Sequence, residues 1–409
     1  MSAALLGRKP RAKVRATRAE AAEVPSGATA RAEGWEAGAV VMFTVLMISF
    51  GLAEMYSASA FMAQSEGHPP YFYAVRQVGG ALMGGLLASL LARTDYRKLQ
   101  DAAWPMLGFT FFLLLLVVMP GTESIAPRLN GARRWLSIGI TLQPSELAKL
   151  ALIVWTAALA VKKQERMHSL SKGLAPFLSV WMAVVLLVVL QPNFSAALLL
   201  VLLSALVLFA GGARIGHFIL LGMLAVPVVW RQIEGASYRL KRIVAFLDPA
   251  GDVAGVSYQI NQSLIAVGSG GIGGLGFGGS QQKFGFLPEP HNDFLFSMIA
   301  EEWGLLGVLF VVALYAGFAV AGFRIARRAP DLFGYLLALG MTNLVVVSAL
   351  LHMGVSLALL PTTGVVLPFM SYGRSGLLVV FAAVGVLLSV ARASRGAPAQ
   401  VAARRTVAR

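Results

Sequence analysis

The side chains most able to do chemistry fall where an apolar stretch begins. "LPEPHNDFLFSMIAEEWG", residues 287–304, places Glu289, His291, Asp293, Glu301 and Glu302 in and around it. A carboxylate such as Asp293 can take a proton from a hydroxyl held within about 3 Å. Asp293 can equally stand near a helix start, where the dipole favours an acid and its oxygens can cap free N–H groups. Glu289, His291 and Asp293 could also ligate a metal, although hard-oxygen sites have no diagnostic spacing. Glu301 and Glu302 are adjacent and cannot share a helix face, so at least one requires a partner on another segment.

Two further groups lie upstream. "QPSELAKLALIVW" sets Glu146 and Lys149 three residues apart on one helix face. That spacing suits an ion pair that makes both charges tolerable among apolar residues, and it equally suits a functional pair inside a membrane. "NGARRWLSIG" puts Arg133 and Arg134 beside Trp135. The indole reads as an interface anchor, and the guanidinium forks suit either lipid headgroups or substrate phosphate oxygens. "GSGGIG" at 268–273 has the dinucleotide-loop spacing. It lies in a Gly-rich segment that continues to "GLGFGGS", so close backbone packing at the membrane surface is favoured over a nucleotide site.

The elements that must hold these residues are helices in a bilayer. The chain has 409 residues, 57% hydrophobic and only 13% charged, with a mean hydropathy of +0.73. A soluble domain carries about 25% charge. The apolar runs are continuous, not alternating, which indicates helices and excludes a barrel. Runs of about 20 residues predict spans near 36–57, 73–92, 103–120, 144–161, 173–190, 193–210, 214–230, 294–323, 331–358 and 371–391. The expected fold is an all-α integral membrane protein of about ten spans, with a large extracytoplasmic loop, 231–293, between the seventh and eighth. Residues 1–35 read as a disordered basic cytoplasmic arm, 36–391 as one polytopic membrane domain, and 392–409 as a basic cytoplasmic tail.

Lys and Arg set the orientation. With both termini cytoplasmic, most of the 34 basic residues, including seven in the N-terminal arm and five at the C-terminus, lie on the cytoplasmic side. The net charge of +15 is then mainly a topology signal, reinforced by attraction of the arm to anionic lipid. Nucleic-acid binding is not indicated, because the tails carry no folded basic surface with groove-reading or stacking elements. The arm is not a cleavable signal peptide, since no apolar core follows its charges before the first span. The absence of cysteine excludes disulfides and thiolate chemistry. Two connections on the outer side are long, 120–143 and 231–293, and long loops in compact proteins usually carry function.

The segments "NGARRWLSIGITLQPSELAKLA", "SYQINQSLIAVGSGGIGGLGFGGSQQKFGFLPEPHNDFLFSMIAEEWG" and "LLPTTGVVLPFMSYGRSGLL" resemble the signature segments of the SEDS family, which holds FtsW, RodA and SpoVE. The likeness runs from the first span to the last. "PTTG" and "GFGGSQQK" are closer to the FtsW-type division branch than to the RodA-type elongation branch. The resemblance implies a ten-span peptidoglycan glycosyltransferase of the cytoplasmic membrane that polymerises lipid II at the outer face, during septal synthesis. Its implied partners are a class B penicillin-binding protein, which is a transpeptidase, and other division proteins. The family's essential acid falls on Asp293, its functional Arg before Trp on Arg134, and its paired Glu and Lys on Glu146 and Lys149. Lys283, Glu289 and His291 complete the candidate substrate-binding set. The chain departs from the family pattern at Asn292, Asn193, Ser195, His352, Arg374 and Gly376, where the family commonly has Thr, Asp, Gly, Asn, Gly and Ser.

The implied reaction joins a sugar hydroxyl to an anomeric carbon that departs with a lipid diphosphate. It asks for a base, assigned to Asp293, and for cations at the departing phosphates, met by Arg134 and Lys149. A divalent cation, Mg or Mn, is compatible with that step, and nothing in the sequence demands one. A lipid II flippase would also use internal charges, but it needs a polar path through the membrane, and these motifs gather at one end of the spans. A non-catalytic division scaffold would leave Asp293 dispensable.

Overall fold

The computed structural model describes residues 34–128, 131–235, 237–247 and 257–396. The chain divides into two units, Met1–Trp35 and Glu36–Arg409; the basic arm and the end of the tail lie outside the described residues, and the fold below is that of the second unit. Its larger helices are α1 (Trp35–Ser65), α2 (Phe72–Arg93), α3 (Ala103–Val118), α4 (Pro144–Lys162), α5 (Ala175–Leu190), α6 (Phe194–Ala210), α7 (Ile215–Glu234), α8 (Ser237–Leu247), α9 (Ser257–Ser269), α10 (Leu295–Arg328), α11 (Leu332–Ser356) and α12 (Arg374–Gly396).

Among the described residues, seven helical runs are long and apolar enough to cross a membrane: α1, α2, α4, Leu170–Leu190, α10, α11 and α12. Shorter apolar helices occupy the other three expected positions: α3, α6 and the Ile215–Pro227 part of α7. The solvent implied by composition is visible on the surface. Leu82 and Leu86 of α2 are 71% and 64% exposed, a liability in water and the normal state in lipid. The interior is apolar and close-packed, with Met47, Ile153, Trp155, Phe177, Phe318 and Leu387 in one continuous core.

Three features differ from the sequence expectation. The segment 231–293 is not an extended loop, because α7 continues to Glu234 and α8 and α9 follow. A two-stranded antiparallel hairpin, β1 (Leu136–Ile138) and β2 (Ile140–Leu142), interrupts the all-α pattern and turns at Gly139 with φ 74°. Its strands are three residues each, too short to show alternation. The eighth expected span is broken. Gly304 has φ 63° and ψ −157° inside α10, a conformation essentially restricted to glycine.

That break explains the Gly-rich segment. Where α10 opens, residues 271–276 dock against its freed backbone. Leu305 N–H donates to Gly271 O (2.9 Å), and Leu275 and Gly276 N–H donate to Glu301 O and Glu302 O (3.0 and 2.9 Å). Polar backbone among apolar surroundings must be satisfied internally, and the segment does this. A Cβ at Gly270 would overlap Ala300 O. A helix, α9, precedes "GSGGIG" instead of a strand, so the spacing serves packing.

The acids of α10 anchor the same region. Glu302 accepts from Ser57 Oγ of α1 (2.6 Å) and Gly278 N (2.8 Å), with Lys283 Nζ at 3.4 Å. Glu301 accepts from Ser280 Oγ (2.5 Å) and Gln281 N (3.0 Å). Both adjacent acids therefore find partners, one of them on another helix. Gly304→Ala is expected to destabilise by about 1–3 kcal/mol from backbone strain alone, with a further clash because its Cβ would lie 2.5 Å from Gly274 N. The measurement is the midpoint of thermal unfolding in detergent. Gly79→Ala, where a Cβ meets nothing within 4 Å, should leave that midpoint in place.

Candidate active site

One cavity of about 700 Å³ collects most of the charged residues singled out above. Its walls include Arg134, Glu146, Lys149, Glu289 and Asp293. Local structure explains how distant segments meet there. The β1–β2 hairpin folds the chain back on itself, so that Arg134 before it and Glu146 after it face the same space. Pro144 opens α4 at its first positions, where a missing N–H is harmless, and this places Glu146 and Lys149 just inside the helix. Asn193 caps α6 by accepting from Ala196 N (3.4 Å), donates to Ser145 Oγ of α4 (3.4 Å) and also lines the cavity.

Asp293 approaches from the turn before α10. The N-cap position is held by Phe294, with no side-chain cap bond, so Asp293 does not cap the helix. Among the described residues its carboxylate makes no hydrogen bond or ion pair with another side chain. It faces Gly364 of the α11–α12 connection, where a Cβ would lie 3.7 Å from Oδ2. Burial pushes the Asp293 carboxyl up to about 6, nearby Glu289 adds to the rise, and Arg242 and Arg134 oppose it. An acid so placed is ionised at neutral pH and still basic enough to accept a proton. Glu289, at a left-handed φ of 50°, is also raised, by burial first and by Glu66, against the hydrogen bond from Asn292.

The two arginines of "GARRW" separate. Arg133 turns from the cavity to the preceding loop, pairing with Glu123 (2.9 Å) and donating to Thr122 Oγ1 (2.6 Å) and Ala126 O (3.1 Å). Arg134 reaches across to the α5–α6 turn, donating to Gln191 O (3.2 Å) and Pro192 O (2.6 Å). Lys149 and Glu146 form an ion pair of 2.6 Å.

Two of the candidate residues lie elsewhere. Lys283 is not in the cavity wall; its ammonium binds Gly278 O (2.5 Å), Ser57 Oγ and Glu302 as part of the loop anchor. His291 packs between Tyr73 and Tyr372, with ring centroids 4.8 and 5.8 Å away. Burial lowers its pKa to about 4, so it is neutral at pH 7. It is buried behind Tyr372, which does line the cavity.

The cavity also contains two residues to which the motif reading gave no role, Arg374 being marked only as a departure from the family pattern. Arg242 of α8 and Arg374, the first residue of α12, add two cations. Neither stands at a spacing that marks chemistry, and only the docking of α8 and of the hairpin brings them in. His352 acts from outside the wall. Its Nε2 accepts from Phe296 N (3.5 Å) and its Nδ1 donates to Val365 O (2.8 Å), holding the start of α10 against the connection that carries Gly364. Among the described residues no three His, Cys, Asp or Glu side chains converge on a metal position. Glu289 and Asp293 are the acids nearest one another in the wall. They do not make an all-protein cage for Mg or Mn.

Fold and site together define a polytopic helical membrane protein in which an accessible carboxylate shares an internal cavity with several cations. The chain belongs to the FtsW, RodA and SpoVE family: the family described as "Cell cycle protein" matches residues 38–396. It is 38% identical over 357 residues to stage V sporulation protein E of Bacillus subtilis, covering 87% of this chain and 97% of that one. It is 40% identical over 360 residues to a probable peptidoglycan glycosyltransferase FtsW of Trichlorobacter lovleyi, covering 88% and 94%. A solved chain described under "Structural coordination of polymerization and crosslinking by a peptidoglycan synthase complex" superposes with a TM-score of 0.70 at 28% identity, covering 86% of this chain and 96% of that one. The rod shape determining protein RodA of Thermus thermophilus superposes with a TM-score of 0.63 at 28% identity, covering 86% and 95%.

Proposed function

We propose that this protein is a peptidoglycan glycosyltransferase that polymerises lipid II, with Asp293 as general base. The observation that carries the reading is the Asp293 carboxylate, held in a cation-lined cavity with no side-chain hydrogen-bond or ion-pair partner among the described residues. The relatives named FtsW and the synthase-complex likeness support it.

In the proposed step, Asp293 removes the proton from the sugar C4 hydroxyl of the acceptor. The hydroxyl oxygen forms a bond to the anomeric carbon of the donor, and the bond from that carbon to the lipid diphosphate breaks with inversion. The departing diphosphate gains charge, and Arg134 and Lys149 stabilise it. One carboxylate suffices, because diphosphate leaves without the proton that a glycoside oxygen needs.

The proposed setting is the bacterial cytoplasmic membrane at the division septum, with both termini inside and the cavity opening outward, beside a class B penicillin-binding protein that cross-links the product. The direct test is purified protein with lipid II, with and without such a transpeptidase, scored for glycan polymer. No polymer in either case, together with translocation of lipid II in vesicles, would make the protein a flippase. Orientation has its own test. Ser65→Cys, at an exposed polar position where α1 ends in an otherwise cysteine-free chain, should react with an impermeant thiol reagent on intact cells. Labelling only after lysis would invert the topology.

A further inference from the structure

Among the described residues four cations line the cavity, and they differ in what already holds them. Lys149 is paired with Glu146 at 2.6 Å. Arg134 donates to the carbonyls of Gln191 and Pro192 through Nε and Nη2, Arg242 donates to Thr362 O at 3.2 Å, and both lower the pKa of Asp293. Arg374 forms no ion pair with a carboxylate among the described residues. Its one hydrogen bond is from Nη2 to a neutral hydroxyl, Thr141 Oγ1 of β2, at 2.5 Å. Its stem packs beside α2, with Cγ 3.9 Å from where a Cβ of Gly80 would be. The guanidinium is therefore held from two sides while most of its donors stay unspent.

The surroundings of Arg374 favour an anion. It lines the same cavity as Glu146, Lys149 and Gly376; a Cβ at Gly376 would come 3.3 Å from Glu146 Oε2. Ser375 ties this turn of α12 to the hairpin, accepting from Gln143 N (3.0 Å) and donating to Thr141 O (3.3 Å). The Glu146 charge in this cavity is already matched by Lys149. A half-buried guanidinium without a counter-charge is costly unless an anion binds there, and its fork suits two phosphate oxygens.

We infer that Arg374 is a substrate-binding residue that holds the diphosphate of the polyprenyl-linked saccharide, on a wall it shares with Lys149. This rests on the glycosyltransferase reading of the cavity and extends it to a position where the chain departs from the family pattern.

The test measures the affinity of purified protein in detergent for undecaprenyl diphosphate, which has neither sugar nor peptide, and the KM for lipid II. Arg374→Gln should weaken the first and raise the second, each about tenfold, with kcat changed far less. Arg374→Lys should recover part of the affinity, because it restores charge without the fork. Thr141→Val removes the hydroxyl tie and leaves the guanidinium. Arg374→Gln that binds undecaprenyl diphosphate as tightly as the wild type overturns the inference, and if its KM for lipid II rises nonetheless, the contact is to the peptide carboxylates. A loss reproduced in full by Thr141→Val overturns it too, since Arg374 would then act only through the hairpin. A wild-type protein that makes no polymer from lipid II counts against the glycosyltransferase reading instead, and that result is scored separately.

Discussion

Asp293→Asn is expected to abolish glycan polymerisation and to leave the protein folded. Loss of a positioned base costs about 10²–10⁴ in rate, and no side-chain partner in the wall compensates. Folding should survive, because among the described residues the carboxylate neither caps α10 nor pairs with another side chain. The sign of the pH effect on stability agrees. The folded carboxyl is raised to about 6 from an ordinary value near 4, so the folded state holds the proton more tightly. Its contribution to stability therefore falls as pH rises from about 4 to about 6. The Asn variant should accordingly melt no lower than wild type at pH 7. Wild-type turnover should be small below pH 6 and rise through about 6 as the base ionises. Glu289→Gln, by removing the nearby negative charge, should move that limb to lower pH. An Asn variant that polymerises lipid II at the wild-type rate would place the base elsewhere. An unchanged limb in Glu289→Gln would show that the limb does not report Asp293.

Lys149→Met is expected to lose both stability and activity. The Lys149 side chain is 7% exposed and Glu146 14%, and their 2.6 Å pair neutralises two charges in a low-dielectric wall. Removing one partner strands the other, at a cost of about 3–5 kcal/mol for a fully buried pair and less where cavity water reaches Glu146. Glu146→Gln should be destabilising for the same reason. The double variant removes both charges and should recover most of the thermal midpoint. Folding and chemistry part company in that variant. If Lys149 stabilises the departing diphosphate, the double variant folds and stays inactive in the polymer assay. Wild-type activity in a folded double variant would sink the catalytic role and leave the pair as scaffolding.

The membrane class was legible in composition, because a bilayer demands continuous apolar runs and the chain supplies them at regular intervals. The i,i+3 spacing alone put Glu146 and Lys149 on one face, and the structure pairs them. Asp293 stood out because an acid at the edge of an apolar helix is expensive and therefore conspicuous. What the sequence left open depended on contacts between segments far apart. Arg133 and Arg134 are adjacent and chemically identical, and only the fold of the β1–β2 hairpin sends one to a loop and the other into the cavity. Lys283 and His291 lie in the same segment as Asp293, yet the docking of 271–283 onto broken α10 turns Lys283 toward Glu302, and the packing of Tyr73 and Tyr372 encloses His291. Arg242 carries no local signal, and Arg374 is visible in the sequence only as a departure from the family pattern. Periodicity reports which face of a helix is apolar; it is silent on which charged side chains from α4, α8, α12 and the turn before α10 will meet across a cavity, because that is set by how whole helices pack.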